Sequence, residues 1–363
     1  MDKKYNFAEL FNDKTGFLVR SNVMLGNKMA DCEPYMRSFP ELIDIGIMGH
    51  CHCAEKGFCK MAGVDCYQNA PFTKRDNMPI SSYKNIIDQC ENRVFQVALG
   101  GAGDPNKHEQ FEEILAYTRA KGIVPNFTTS GLLLTDEEAQ AASVYCGAVA
   151  VSMYSRLNEN GQENNPETIS AIEKLIESGC STNIHYVLSL DTISEALCRL
   201  ENDLFPSGIN AVVFLLYKAV GLGVKEKVIT GKEEQYSNFI KQAMIRNHPY
   251  RIGFDTCQAP AIRNMSSCVC DQSLDYCEAA KFSMFIDCDL IAYPCSFGID
   301  HREYKVSLQG AAIEDAWNSE EFDKFRIAQD VTCLSCNVVS CYKCALDLCS
   351  NICGRHIGKN EVA

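Results

Sequence analysis

The chain has 363 residues, 46% apolar and 22% charged, enough for one large α/β core with a smaller appendage. Acids outnumber bases by 47 to 34, a formal charge of −13, and no basic stripe is present to neutralise a run of phosphates, which excludes nucleic acid as the expected partner. The longest apolar run, at 212–216, is far short of the ~20 residues a bilayer needs. The start, MDKKYNFAELFNDKTGF, has neither a signal core nor an Arg-rich amphipathic pattern, so no membrane association and a cytoplasmic location are expected.

After an N-terminal extension (residues 1–40), β-branched runs at 42–48, 94–99, 123–127, 148–153, 183–188 and 211–216 alternate with amphipathic stretches at 83–90, 108–121, 136–145, 166–178 and 193–199. The runs read as buried parallel strands and the stretches as crossover helices. Six such units predict an α/β fold, a partial (β/α)6 TIM-type barrel over residues 41–250. Thr135 followed by Asp136, Glu137 and Glu138 predicts a capped helix start, and Gly122 and Gly179 stand where helices need a left-handed residue. Beyond about residue 250 the alternation fades and cysteines crowd in, so residues 251–363 are expected to fold around metal.

The chain carries 21 cysteines, and in a reducing compartment such numbers of thiols usually hold metal rather than disulfides. The first predicted strand, LIDIGIM, runs into GHCHCAEKGFCKMAGVDCYQ, which puts Cys51, Cys53, Cys59 and Cys66 at a strand's C-terminal end, the face where β/α barrels do chemistry. Four thiols there suit either a structural zinc or a [4Fe–4S] cluster, in which three thiolates leave one iron open to a small molecule.

With these cysteines, three further turns carry a resemblance to the radical S-adenosylmethionine (SAM) superfamily over roughly residues 40–230. LGGAGDP at 99–105 resembles that family's Gly-Gly-Glu-Pro turn, FTTSGLLL at 127–134 its Thr-Asn-Gly turn, and VAVSMYS at 149–155 its cofactor-contacting serine. The resemblance implies a cluster on Cys51, Cys59 and Cys66, with Cys53 as the alternative to one of them, because seven and six residues separate the trio where the family has three and two. It implies SAM binding by Gly100, Gly101, Gly103, Asp104, Thr129 and Ser152, Asp104 either binding or only orienting its turn. Asn183 and His185 alternate with Ile184 and Tyr186, so they share one strand face; they suit SAM or a hydrogen-bonded core. In LLYKAVGLG at 215–223, similar to a Tyr-Lys-Pro-x-Gly-x-Gly ending in peptide-modifying members, Lys218 is read as meeting a carboxylate or reaching solvent, solvent being preferred.

The C-terminal region holds CEAAKFSMFIDCDLIAYPC at 277–295 and CLSCNVVSCYKCALDLCSNIC at 333–353. Tandem CxxC pairs alone fit zinc ribbons. Together with GFDTC at 253–257 they resemble the SPASM extension of radical SAM enzymes, which implies one or two auxiliary [4Fe–4S] clusters on Cys277, Cys295, Cys333, Cys336, Cys341, Cys344, Cys349 and Cys353. Leu290 stands where that hairpin usually has Gly, predicting a different turn. Cys32, Cys90, Cys146, Cys180 and Cys198 are read as small buried apolar residues. The resemblance implies a 5′-deoxyadenosyl radical used to oxidise or cross-link a residue in a peptide or protein, fed by a flavodoxin- or ferredoxin-type electron donor. An anaerobic sulfatase-maturase-like enzyme is the rival, although Ser296 follows the hairpin's closing Cys where that branch has Asp, and a non-catalytic iron–sulfur or zinc scaffold is the reading from another class.

Overall fold

The six β-branched runs become strands that pair in chain order, because each crossover segment buries an apolar stripe on one side of the sheet. The computed structural model describes residues 1–22, 24–25, 28–29, 36–54, 57–265, 269, 274–275, 277–329, 344–348 and 352. Its strands are β1 (Phe7–Phe11), β2 (Leu18–Asn22), β3 (Met24–Leu25), β4 (Lys28–Met29), β5 (Leu42–Met48), β6 (Gln96–Gly101), β7 (Val124–Thr129), β8 (Val149–Ser152), β9 (Thr182–Leu188), β10 (Ala211–Leu216), β11 (Arg251–Phe254), β12 (Ser283–Ile286), β13 (Ile291–Tyr293) and β14 (Val306–Ser307). Its α-helices are α1 (Phe58–Met61), α2 (Ile80–Cys90), α3 (Phe111–Ala120), α4 (Asp136–Tyr145), α5 (Pro166–Glu177), α6 (Ile193–Asn202), α7 (Glu234–Ile245), α8 (Ala259–Met265), α9 (Ile313–Trp317) and α10 (Glu320–Gln329).

Strands β5 to β11 lie in sequence order in one open sheet of ten, each pair parallel, as a partial TIM-type barrel requires. The expected helix signals operate: Thr135 and Glu138 form a reciprocal capping box on α4, and Gly122 and Gly179 adopt φ +76° and +83°. Period-two alternation then sorts the strand residues. Ile43, Ile45, Val97, Leu99, Phe127, Val151, Ile184, Tyr186, Val212 and Phe214 are buried in the core under the helices. On the opposite, inner wall, Asp44, Ala98 and Asn126 stand in one row, and Ser152, His185, Val213 and Gly253 in another.

Two features lie beyond the predicted pattern. α7 and β11 continue the alternation through residue 254, β11 pairing parallel to β10. The cysteine-rich hairpin β12–β13 then returns to the far edge, where β12 pairs parallel to β5, with Phe285 opposite Asp44. A short N-terminal hairpin, β1–β2, is fastened there as well: Arg20 lies between the carboxylates of Glu41 and Glu278 and stacks on Phe282 at 3.9 Å.

On the opposite flank, Arg199 of α6 is fully buried, donating from Nη1 and Nη2 to Glu163 (2.6 and 2.9 Å) and from Nε to Glu195 (2.9 Å). Glu195 also receives Arg156, which reaches into the loop after β5. Removing one member of a buried pair strands the other charge. Arg199→Met should therefore lower stability by about 3 kcal/mol in urea unfolding.

Candidate functional site

The loop after β5 is placed by backbone pressed on backbone. A Cβ on Gly103, just past β6, would lie 2.3 Å from the His50 carbonyl oxygen and 3.3 Å from Cys51 Cα, so glycine there lets the β6 turn hold Cys51 at the sheet's C-terminal edge. Cys59 follows in the one-turn helix α1, and the Cys66 sulfur accepts a hydrogen bond from the Ala70 N–H at 3.4 Å. Burial pushes the Cys59 thiol pKa up, and the charges of Cys66 and Cys51 push it further, so the three sulfurs share one electrostatic neighbourhood. A hydrogen bond from Cys53 draws the Cys51 thiol down to about 7 and pushes Cys53 itself up. Cys53 is otherwise turned to the next strand ends, 3.4 Å from Ser130 Oγ and 3.8 Å from Asp104 Oδ2.

These thiols are all free. A single tetrahedral zinc at ~2.3 Å from each sulfur draws its sulfurs to about 3.8 Å from one another. Among the described residues, the three-ligand group that closes to within 4.8 Å is His52, Cys53 and Asp104. Cys51, Cys59 and Cys66 do not all close to that distance, and three thiols are the donor set that a [4Fe–4S] cluster with one open iron takes.

Around them, the sequence-predicted residues divide by strand face. Gly101, at φ +122°, packs against the Met48 backbone, whereas Gly100 has no atom within 4 Å of the place a Cβ would occupy. Asp104 accepts hydrogen bonds from the Ser130 N–H (2.9 Å) and hydroxyl and lies 3.5 Å from His52 Nε2, so it braces its turn. Thr129 faces outward: its buried hydroxyl donates to Asn106 Oδ1 (2.9 Å) and accepts from the Gly131 N–H (3.0 Å). Ser152, Asn183 and His185 lie on the inner wall, Asn183 accepting from Asn210 Nδ2 at 2.7 Å. Desolvation lowers His185 to about 4, which leaves a neutral imidazole.

Periodicity had also marked, without singling it out, an inner-wall carboxyl. Asp44 has no hydrogen-bond partner among the described residues, and desolvation, with Glu278 nearby, raises it to about 7. Next to it, Tyr67 packs against Phe297 with ring centroids 5.0 Å apart and planes tilted by 50°. Burial raises the Tyr67 phenol to about 12, and the charges of Asp44, Cys66 and Cys295 add to the shift. Asp44, Cys66 of the first cysteines and Cys295 of a second set thus all lie near the Tyr67 phenol.

In that second set, burial pushes Cys277 up to about 12, followed by the charges of Cys257 and Cys344. Cys295 is raised by burial and then by Cys277, Cys257 and Cys344. The structure thus brings Cys257 together with Cys277, Cys295 and Cys344; its GFDTC context was visible, but no spacing tied it to the hairpin. Cys333, Cys336, Cys341, Cys349 and Cys353, like Cys32, lie outside the described residues. Three expectations are corrected. Lys218 is buried rather than solvated, donating to Asp255 Oδ2 (2.8 Å) and the Leu216 carbonyl (2.9 Å). Leu290 adopts φ +62°, the left-handed conformation a Gly would take, so the turn is kept by a strained leucine rather than altered. Cys198 is exposed, and Cys146, the extended residue that follows α4, is half-buried.

The arrangement has counterparts among known proteins. Superposition on Streptococcus suis SuiB bound to S-adenosylmethionine gives a TM-score of 0.62 at 18% identity, covering 87% of this chain and 73% of SuiB. The fold is that of SuiB. Native anSMEcpe with bound AdoMet shares it, with a TM-score of 0.58 at 15% identity over 86% of this chain and 88% of that one. In sequence, 92 residues are 37% identical to the mycofactocin maturase MftC of Mycolicibacterium smegmatis, which is 24% of this chain and 23% of MftC. The chain thus matches less than a quarter of the length of that relative. No family model matches.

Two substitutions probe this arrangement. Gly103→Ala should cost about 1–3 kcal/mol by overpacking and at least halve iron uptake on reconstitution, measured by thermal melting and iron analysis. Asp44, protonated when folded up to about pH 7 but ionised above about pH 4 when unfolded, makes stability fall as pH rises across that window and then level off. Asp44→Asn should remove this fall, gaining roughly 2 kcal/mol on the parent between pH 5 and pH 8 in urea titrations.

Proposed function

We propose that this protein is a radical SAM enzyme that oxidises or cross-links a residue of a peptide, with a partial barrel at 41–250 and an auxiliary iron–sulfur domain at 251–363. The observation that carries the reading is two groups of free thiols, Cys51, Cys59 and Cys66 after β5 and Cys257, Cys277, Cys295 and Cys344 in the C-terminal region, with Tyr67 close to Cys66 of the first and Cys295 of the second. SuiB has been solved bound to precursor peptide SuiA, and anSMEcpe with the Cp18Cys peptide, which supports a peptide substrate on this fold.

In this reading Cys51, Cys59 and Cys66 hold the first cluster and leave one iron for SAM. Bound there, the two supply a 5′-deoxyadenosyl radical able to take hydrogen from an unactivated carbon. The open edge at Gly100 admits the cofactor against backbone, while Ser152, Asn183 and neutral His185 offer hydrogen bonds along the wall. Asp44, on the inner wall beside Ala98, would accept a proton from the substrate as it is oxidised. The auxiliary cysteines, with the C-terminal CxxC run, hold one or two further clusters that take the released electron. A flavodoxin- or ferredoxin-type protein provides the reducing electron, and the reaction belongs in the cytoplasm.

Anaerobic reconstitution with iron and sulfide, followed by dithionite and SAM, should yield 5′-deoxyadenosine. Ala at Cys51, Cys59 or Cys66 should reduce that yield at least a hundredfold. Cys257→Ala should spare it while lowering bound iron. Stoichiometric zinc with no SAM cleavage in the parent protein would sink the proposal.

A further inference from the structure

The stretched cysteine loop poses a physical problem. Fourteen residues separate Cys51 from Cys66, and a flexible loop of that length does not by itself return its last sulfur to its first. The structure fastens it from outside. At mid-loop, Arg156 donates from Nη1 to the Ala62 carbonyl at 3.3 Å while its Nε pairs with Glu195. At the far end, the turn after β10 closes on Cys66 directly. The Leu222 N–H donates to the Cys66 carbonyl at 2.9 Å, and a Cβ on Gly221, at φ +61°, would fall 2.4 Å from the Tyr67 oxygen and 2.7 Å from that of Cys66.

Asp65, immediately before Cys66, joins that turn to the loop. Its Oδ2 accepts from the Tyr217 hydroxyl at 2.6 Å and from Lys227 Nζ at 2.9 Å, and the Val224 N–H donates to the same tyrosine oxygen at 2.9 Å. Despite partial burial, the bonds from Tyr217 and Lys227 hold the Asp65 carboxyl below its ordinary range. Lys227 is steered in turn by Asp191, 3.5 Å away. Carboxylate, phenol, ammonium and backbone N–H thus form one charge-assisted network on the residue preceding a thiolate.

We propose that Asp65, gripped by Tyr217 and Lys227, is a positioning residue that sets Cys66 as the third thiolate and so replaces the short spacing that usually does this. The proposal rests on the reading of Cys51, Cys59 and Cys66 as cluster ligands. It assigns a task to the turn after β10, which would otherwise be a surface connection.

The test compares the full-length parent with Asp65→Ala and Tyr217→Phe. In metal-free, reduced protein, iodoacetamide labelling of Cys66 followed by peptide mass spectrometry should be five- to tenfold faster in Asp65→Ala, while buried Cys90 stays protected. After reconstitution, the same variant should lose the SAM-induced change in the reduced-cluster EPR spectrum, which a purely structural role remote from Cys66 would leave intact. Asp65→Asn, which keeps an acceptor for Tyr217, should restore part of it. Parent-like Cys66 labelling and an unchanged EPR response in Asp65→Ala would overturn the proposal. If Asp65→Ala also exposes Cys90, Tyr217→Phe decides: a rise of twofold or more in Cys66 labelling supports the network, and no rise overturns it. A parent protein whose EPR spectrum ignores SAM would defeat the functional reading instead, with the labelling result still judging the network.

Discussion

Three sulfurs spread over a long, mostly irregular loop have to occupy one small volume, and the chemistry proposed for this chain depends on that convergence. Hydrophobic burial does little toward it, since α1 buries none of its residues. Contacts on the loop's main chain supply it instead: Gly103 against His50 at the loop's start, the Arg156 guanidinium on the Ala62 carbonyl in its middle, Gly221 and Leu222 against Cys66 at its end. Each comes from the end of a different strand, so the sheet acts as a jig whose rigid edges define where a floppy segment must lie.

The second cysteine set is tied to the same jig rather than hung from a linker. β12 is hydrogen-bonded to β5, the strand that delivers Cys51, and the hairpin turn is clasped from the cysteine-loop side by Arg75, which donates to Asp287 (3.1 Å) and Asp289 (2.8 Å). A paired strand is held to a spacing of ~4.8 Å from its neighbour, whereas a linker would let the two sets drift. The inner wall of that sheet combines small residues such as Ala98, Ala150 and Gly253 with the titratable pair Asp44 and His185. Asp44 is pushed toward neutrality and His185 held there, as suits groups that exchange protons or hydrogen bonds in a site screened from water.

Much of this was legible from residues alone. Strand positions at 42–48 and 211–216, the capping box on α4 and the left-handed glycines follow from local rules of periodicity and capping. The first cysteine loop was recognisable because it follows a strand directly. The direction of Thr129 was not legible, because a strand's alternation assigns faces only once the register is known; its hydroxyl braces Asn106. Lys218 was read as solvated because nothing nearby in sequence offered it a carboxylate; Asp255 arrives through β11, on the neighbouring strand.

The sequence by itself determined the elements, the chain order of the parallel strands and the supply of thiols, since periodicity, caps and composition act over a few residues. Which thiols meet was decided only by the tertiary structure. Cys257 joins Cys277, Cys295 and Cys344, and Asp65 finds Tyr217, because β11 and β12 dock on opposite edges of one sheet and a turn folds back across another. Such meetings depend on register and on close approach at glycines, which act between segments scores of residues apart and leave no mark in local spacing.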